Sequence, residues 1–203
     1  MADKTKIAVF VSGGGTNLQA LIDCEKKGQI PDGKITVVIS SSAKAYAIER
    51  AKNAGIPCKV VNKKACGSQE KFEEEIIKVL EEFDIDLIVL AGFLNILGEN
   101  FTSRYKNRII NVHPSLIPSF CGKGYYGLKV HEEALIYGVK VTGATVHFVN
   151  EIPDGGEIIM QKAVEILDGD TPEILQKRVM EQAEWIILPA SCQKISKLIR
   201  ESK

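Results

Sequence analysis

Lys6-Ile7-Ala8-Val9-Phe10-Val11 runs directly into Ser12-Gly13-Gly14-Gly15-Thr16-Asn17 and then into Leu18-Gln19-Ala20-Leu21-Ile22. The first six residues are a short run rich in β-branched side chains, the pattern of a strand. Thr16–Lys27 carries Leu18, Leu21 and Ile22 at helical spacing. A strand that ends in glycines and opens a helix is the first unit of an alternating β/α chain. The alternation continues. Ile35–Ile39 reads as a strand, Ala43–Asn53 as a helix stopped by Gly55 and Pro57, and Cys58–Val61 as a third strand. Gln69–Phe83 is the clearest amphipathic helix, with Phe72, Ile76, Val79, Leu80 and Phe83 on one stripe. Asp86–Ala91 is almost wholly apolar, as a central parallel strand is.

Arg108–Val112 predicts another strand and Gly127–Tyr137 a helix. Val141–Val149 and Glu157–Ala163 predict a hairpin across the Pro153–Gly156 turn. Thr171-Pro172-Glu173 is a helix start, with Thr as cap and Pro in the first turn. The helix behind it runs on to the C-terminus, with a kink expected at Pro189. The expectation is an α/β fold: a doubly wound, mostly parallel sheet with helices on both faces and an antiparallel hairpin in the C-terminal part. Ligands of such sheets bind at the carboxyl ends of strands, near a switch in strand order.

The length of 203 residues suits a single domain over 1–203. Lys plus Arg and Asp plus Glu number 26 each, so the net charge is zero, which argues against a general nucleic-acid binder. No apolar run approaches the ~20 residues of a membrane span, and Ile7–Val11 is too short for a secretory signal. The five cysteines, Cys24, Cys58, Cys66, Cys121 and Cys192, include no CxxC pair. They read as reduced thiols of a cytoplasmic protein.

The glycine loop at 12–17 is placed to bind an anion, because amides at a helix N-terminus are unpaired and the dipole favours negative charge. It lacks the lysine of a Walker loop, and Leu18 stands at the last glycine of the dinucleotide fingerprint. A simple phosphate monoester fits, with Thr16 and Asn17 adding side-chain hydrogen bonds; a structural turn is the other reading. Asn111 and His113 lie two residues apart on one strand and share a face. Asn111 can donate to a developing oxyanion, His113 can do so if a carboxylate keeps it protonated, and Asp154 can supply that carboxylate and move a proton. The bland readings are a core histidine and a common Asp-Gly turn. The set requires no Ser or Cys nucleophile and points to direct attack of an amine on a carbonyl. Cys121 is a weaker candidate, in a mobile loop. A metal triad of His113, His147 and Asp154 lacks supporting spacing, so no metal is expected. His131 reads as a surface residue. Leu90–Leu97 is either a pocket wall for a flat aromatic ligand or core.

Four stretches, SGGGTNLQAL at 12–21, DLIVLAGFLNIL at 86–97, NVHPSLIPSFCGKGYYG at 111–127 and TGATVHFVNEIPDGG at 142–156, carry a resemblance that runs from the first strand to Pro189. The chain resembles the phosphoribosylglycinamide formyltransferases, the folate-dependent formyltransferases of de novo purine synthesis. The resemblance implies transfer of a formyl group from 10-formyltetrahydrofolate to the amine of 5′-phosphoribosylglycinamide. It implies Asn111, His113 and Asp154 as the catalytic set, and Gly15, Thr16 and Asn17 on the ribose phosphate, with 1–100 as a phosphate-substrate-binding half and 101–203 as a catalytic and folate-binding half. It places Gly92 near the glycinamide, and the pterin on the backbone of Leu94, Asn95, Ile96 and Leu97 and of the loop from Asn150 to Asp154, with Leu90 and Ile96 lining it. Two departures stand out. Gln69 lies where many relatives carry an arginine near the phosphate. Glu184, five residues before Pro189, matches a substrate-contacting glutamate, but the segment is one residue longer here. The implied partners are small molecules, with no nucleic acid or membrane, for a monomer or homodimer. The alternatives are a related formyl transfer or hydrolysis, a silent phosphate- or folate-binding module, and a flavodoxin-like carrier. The hydrolases and the tRNA formyltransferases usually carry a further domain, for which 203 residues leave no room.

Overall fold

Residues 4–203 are described by the computed structural model, and residues 1–3 lie outside that description. Seven strands form one sheet in the order β3-β2-β1-β4-β5-β6-β7. β1 (Thr5–Val11), β2 (Gly33–Ser40), β3 (Cys58–Val60), β4 (Leu87–Leu90) and β5 (Ile109–His113) are mutually parallel. β6 (Val141–Phe148) and β7 (Ile158–Glu165) continue the sheet antiparallel. Side-chain alternation explains why both faces are covered. Ile7, Val9 and Val11 of β1 join Leu87 and Val89 of β4 in one core. That core is packed by α1 (Thr16–Lys26) and α8 (Trp185–Glu201). Ala8 and Phe10 join Ile88 and Leu90 in a second core on the other face. This one is packed by Phe72, Ile76 and Leu80 of α4 (Gln69–Glu82).

The chain leaves β1 toward β2 and β3 on one side, then crosses to β4 on the other. The loops after β1 and β4 therefore face each other at the carboxyl ends, which is the switch point where ligands of such sheets bind. They are joined there: Ser12 N–H donates to the Gly92 carbonyl at 3.1 Å. Leu94 N–H donates to Ser12 Oγ at 2.9 Å.

Several local expectations are corrected. α2 spans Ala47–Asn53, because the Ala47 N–H is committed to the Gly13 carbonyl and residues 43–46 form a turn onto that contact. Two helices were too short to show a period: α3 (Lys63–Cys66), capped by the Asn62 side chain, and α5 (Glu99–Arg104). α6 covers Leu128–Tyr137. His131 is not a surface residue; it is fully buried, on the inward stripe of α6 with Val130 and Ala134. The final helix is interrupted upstream of Pro189. α7 (Pro172–Val179) passes through a π turn at Met180–Glu184 into α8, which contains Pro189. A π turn takes up one extra residue, matching the longer segment seen in the sequence. Pro189 has no N–H to offer the Trp185 carbonyl one turn back, so the missing bond lies next to the irregular backbone. Among the described residues no helix is long and apolar enough to cross a membrane.

Candidate active site

The carboxyl end of β5 carries Asn111 and His113, and the register of its neighbours decides what meets them. Leu90 of β4 pairs with Asn111 on one side. His147 and Thr145 of β6 pair with Asn111 and His113 on the other. Asn111 Nδ2 lies 3.2 Å from His147 Nε2. His147 Nδ1 lies 2.7 Å from the Phe148 carbonyl. A carbonyl only accepts, so Nδ1 carries a proton. The neutral ring then accepts from Asn111 through Nε2, and the doubly protonated ring donates outward instead. His147 is the member that sequence reasoning missed as part of this set. Its only sequence signal is an alternating run, Thr145-Val146-His147, whose register across the sheet no single sequence displays.

Asp154 arrives from the turn between β6 and β7. It holds a positive φ of 57°. The chain can turn there because Gly156 has no side chain: a Cβ would stand 1.7 Å from the Phe148 carbonyl oxygen. The Asp154 carboxylate is shared three ways. Oδ2 accepts from Gly122 N–H at 2.8 Å and lies 3.5 Å from His113 Nδ1, while Oδ1 lies 3.5 Å from His147 Nε2. His113 Nε2 donates to the Phe120 carbonyl at 2.8 Å. The structure thus brings Asn111, His113, His147 and Asp154 into one cluster, closed on one side by residues 120–122. Each histidine addresses a different Asp154 oxygen, and among the described residues no three His, Cys, Asp or Glu side chains are placed to hold a metal ion.

The electrostatics split the cluster. Burial works to raise the Asp154 carboxyl, but the His147 ring, the His113 charge and the Gly122 N–H outweigh it and hold the group below the usual carboxylate range. Burial pushes His113 down, against the opposing pull of Asp154 and of the Phe120 carbonyl. A protonated His113 is expected only if a carboxylate holds it so. The carboxylate is present, and desolvation of a ring only 5% exposed is the stronger effect. Near neutral pH the arrangement is an ionised Asp154 beside a largely neutral His113. Cys121 donates its thiol to the Pro118 carbonyl at 3.3 Å. Burial first, and then the Asp154 charge, push that thiol up, which opposes a thiolate nucleophile.

Asn111, His147 and Asp154 line a cavity of about 120 Å³ together with Leu90, Asn95, Ile96, Leu97 and Asn150. Leu90 and Leu97 are buried and also belong to the second core, so the segment is wall and core at once. Ile96 and Ile152 expose more than half of their surface at the rim. Leu94 is likewise exposed but lies outside the cavity lining. Phe93 anchors the loop, 5.2 Å edge-on from Phe10 and 6.4 Å stacked on Phe72. Glu73 Oε1 accepts from Gly98 N–H at 2.6 Å. Gln69 donates to the Ile96 carbonyl at 3.1 Å and also to Glu73. The residue standing at the expected arginine position is therefore a brace for the 96–98 backbone. Asn150 accepts from Ile152 N–H at 3.0 Å and shapes the opposite loop.

The glycine loop forms the second part of the site. Gly15 has a φ of 72°, and a Cβ there would stand 2.6 Å from that of Ala47, so packing alone requires this glycine. Gly13 and Gly14 differ, since a Cβ on either would meet nothing within 4 Å. The N–H groups of Gly14, Gly15 and Thr16 have no acceptor among the described residues. Thr16 Oγ1 turns to the Met180 sulfur at 3.7 Å. Asn17 Nδ2 donates to Glu184 Oε2 at 2.6 Å. Both Asn17 and Glu184 are buried, and burial pushes the Glu184 carboxyl up against the Asn17 hydrogen bond. The π turn thus delivers Glu184 to the helix that opens the glycine loop. Gly92, with a φ of 75°, connects the two parts through its carbonyl bond to Ser12.

Residues 5–191 match the formyl transferase family. The chain is 44% identical over 184 residues to phosphoribosylglycinamide formyltransferase of Haemophilus influenzae, covering 91% of this chain and 84% of that one. It is 44% identical over 194 residues to the trifunctional purine biosynthetic protein adenosine-3 of Gallus gallus. That alignment covers 96% of this chain but 19% of the longer protein, so the chain spans about a fifth of such relatives. The crystal structure of glycinamide ribonucleotide transformylase 1 from Symbiobacterium toebii superposes with a TM-score of 0.89 at 39% identity, covering 96% of this chain and 88% of that one. With most of its length matched in sequence and in fold, the chain belongs to the formyl transferase family, among the phosphoribosylglycinamide formyltransferases.

Proposed function

We propose that this chain transfers the formyl group of 10-formyltetrahydrofolate to the amine of 5′-phosphoribosylglycinamide, a step of purine biosynthesis. The observation that carries the reading is the cluster of Asn111, His113, His147 and Asp154, in which all but the buried His113 line a cavity whose other walls are the 90–97 and 149–153 segments. The residues present fit a flat heteroaromatic ring: exposed Ile96 and Ile152 supply apolar faces, and the backbone of 94–97 and of Asn150–Asp154 supplies polar groups. The folate brings the formyl carbon. The glycine loop, Thr16, Asn17 and Glu184 hold the phosphoribosyl end, and Gly92 lies between the two. Gly13 and Gly14 support the phosphate over a mere turn, since neither a positive φ nor packing requires a glycine at either position.

The residues then divide the work. A C–N bond forms between the substrate amine and the formyl carbon, the bond from that carbon to the folate nitrogen breaks, and one proton passes from the first nitrogen to the second. Asn111 donates its carboxamide N–H to the formyl oxygen as charge develops there, and His113 joins it by exchanging the Phe120 carbonyl for that oxygen as the acceptor of its Nε2–H. Removal of one such donor typically costs ~2.7–4 kcal/mol. Asp154, ionised and anchored by Gly122, accepts the amine proton, directly or through a water, and returns it to the leaving nitrogen. His147 Nε2 accepts from the Asn111 carboxamide when the ring is neutral, and faces the second Asp154 oxygen as a donor only when the ring is doubly protonated. Phosphate anchoring aligns the amine with the formyl carbon, which lowers the barrier by pre-orientation.

The test is a spectroscopic deformylation assay with a 10-formyl folate analogue, run with and without phosphoribosylglycinamide. Deformylation that depends on the glycinamide is expected. Deformylation without an acceptor indicates a hydrolase, and folate binding without turnover indicates a silent module; either result refutes the proposal.

A further inference from the structure

All three glycine carbonyls of the loop have donors. The Gly13 carbonyl accepts from Ala47 N–H at 3.1 Å, and the Gly15 carbonyl from Gln19 N–H at 2.9 Å. The Gly14 carbonyl accepts from Arg50 Nε at 2.8 Å. The first and last bonds come from helix backbone. Only the middle one depends on a side chain.

In a trans peptide the carbonyl of one residue and the N–H of the next point in opposite directions. The one cis peptide among the described residues is Ile117–Pro118, so the loop peptides are trans. Holding the Gly13 and Gly14 carbonyls toward α2 therefore turns the Gly14 and Gly15 N–H groups to the other side, where neither has an acceptor. Gly14 itself contributes no restraint: its φ is not in the left-handed region and a Cβ there would touch nothing. A peptide between two glycines rotates easily. Without a donor on its carbonyl, the Gly14–Gly15 unit has nothing to select the orientation with its N–H outward. Arg50 is itself fixed. Its Nη1 donates to Gln19 Oε1 at 3.2 Å, and the guanidinium lies 5.1 Å from the centre of the Tyr46 ring.

We propose that Arg50 is the positioning residue of the phosphate site. By gripping the Gly14 carbonyl from behind, it fixes the Gly14–Gly15 peptide with its N–H toward the bound phosphate. The inference rests on the assignment of the glycine loop to the ribose phosphate. It gives the loop a preorganised amide, which lowers the ordering cost of binding.

The test compares the wild-type chain with Arg50→Ala and Arg50→Gln. Calorimetry reads the affinity for ribose 5-phosphate, and steady-state kinetics read KM for each substrate. Arg50→Ala is expected to weaken ribose 5-phosphate and to raise KM for phosphoribosylglycinamide about tenfold or more. KM for the formyl folate and kcat stay unchanged. In glutamine the amide nitrogen hangs from Cδ as Nε does in arginine, so Arg50→Gln keeps the donor and drops the charge. It should recover most of the loss. Arg50→Gln as weak as Arg50→Ala overturns positioning in favour of charge acting at a distance. Arg50→Ala equal to an active wild type overturns any role for Arg50. A wild type that neither binds ribose 5-phosphate nor formylates the glycinamide removes the phosphate assignment, and this inference with it.

Discussion

Replacing His131 with leucine should remove a block of acid sensitivity from the fold. The ring is fully buried on α6, and neither ring nitrogen has a hydrogen-bond partner. Burial first, and the neighbouring His113 second, push its pKa from 6.5 to about 4. The sign follows from proton counting. Between these two values the unfolded chain binds a proton that the folded chain refuses, so stability falls as pH drops from about 6.5 toward about 4 and levels off below. Near pH 7 both states are largely neutral at this residue. At pH 5 the unfolded ring is almost fully protonated and the folded ring is not, which costs about 2 kcal/mol relative to pH 7. Urea unfolding of the wild type and His131→Leu at both pH values isolates the effect. His113, also shifted down, adds a similar loss to both proteins and cancels to first order. The wild type should lose about 2 kcal/mol more than the variant between pH 7 and pH 5. Equal losses would refute the reasoning, because they would mean that the buried ring takes up its proton without cost.

Asp154→Asn keeps the shape of the side chain and an acceptor for Gly122 N–H, but removes the charge beside His113. Turnover should fall by about 10²–10⁴-fold with the melting temperature nearly unchanged, and the His113 NMR titration should move further down; a kcat close to wild type speaks against the proton-transfer role. Glu73→Ala leaves Gly98 N–H and the Gln69 amide without their buried acceptor, and should cost about 1–3 kcal/mol in urea unfolding; a smaller loss means that the 96–98 backbone is braced elsewhere. Gly13→Ala meets open space, so stability should stay within about 0.5 kcal/mol of wild type, while ribose 5-phosphate binding weakens; binding unchanged by the new methyl group means that no ligand approaches that face.

Strand–helix alternation, the position of the hairpin and the burial of Asp86–Ala91 were legible because each depends on local period. The β1 and β4 loops could be placed at a switch point for the same reason, once the crossover was inferred. His131 was misplaced because α6 has one polar residue on its inward stripe. A histidine one position after Val130 looks like the edge of the apolar face, and only packing reveals that the stripe is wide enough to bury it. The start of α2 was read too early because the competing contact, Ala47 to Gly13, joins residues far apart in the chain.

What escaped the sequence, the place of His147 in the cluster and the contact between Glu184 and Asn17, depends on register between distant segments. His147 meets Asn111 only because β6 pairs with β5 in this register. A slip of one residue would turn the ring to the other face of the sheet and present Val146 or Phe148 instead. Glu184 meets Asn17 across 167 residues of chain, after the π turn has absorbed one residue. One residue is about 100° of helical rotation. A regular helix of the same length would aim Glu184 away from α1 and leave the Asn17 amide buried without its acceptor. Motif spacing identifies which side chains belong to such a site. Sheet register and helix phase decide which of them touch, and those are set by long-range packing that spacing along the chain does not encode.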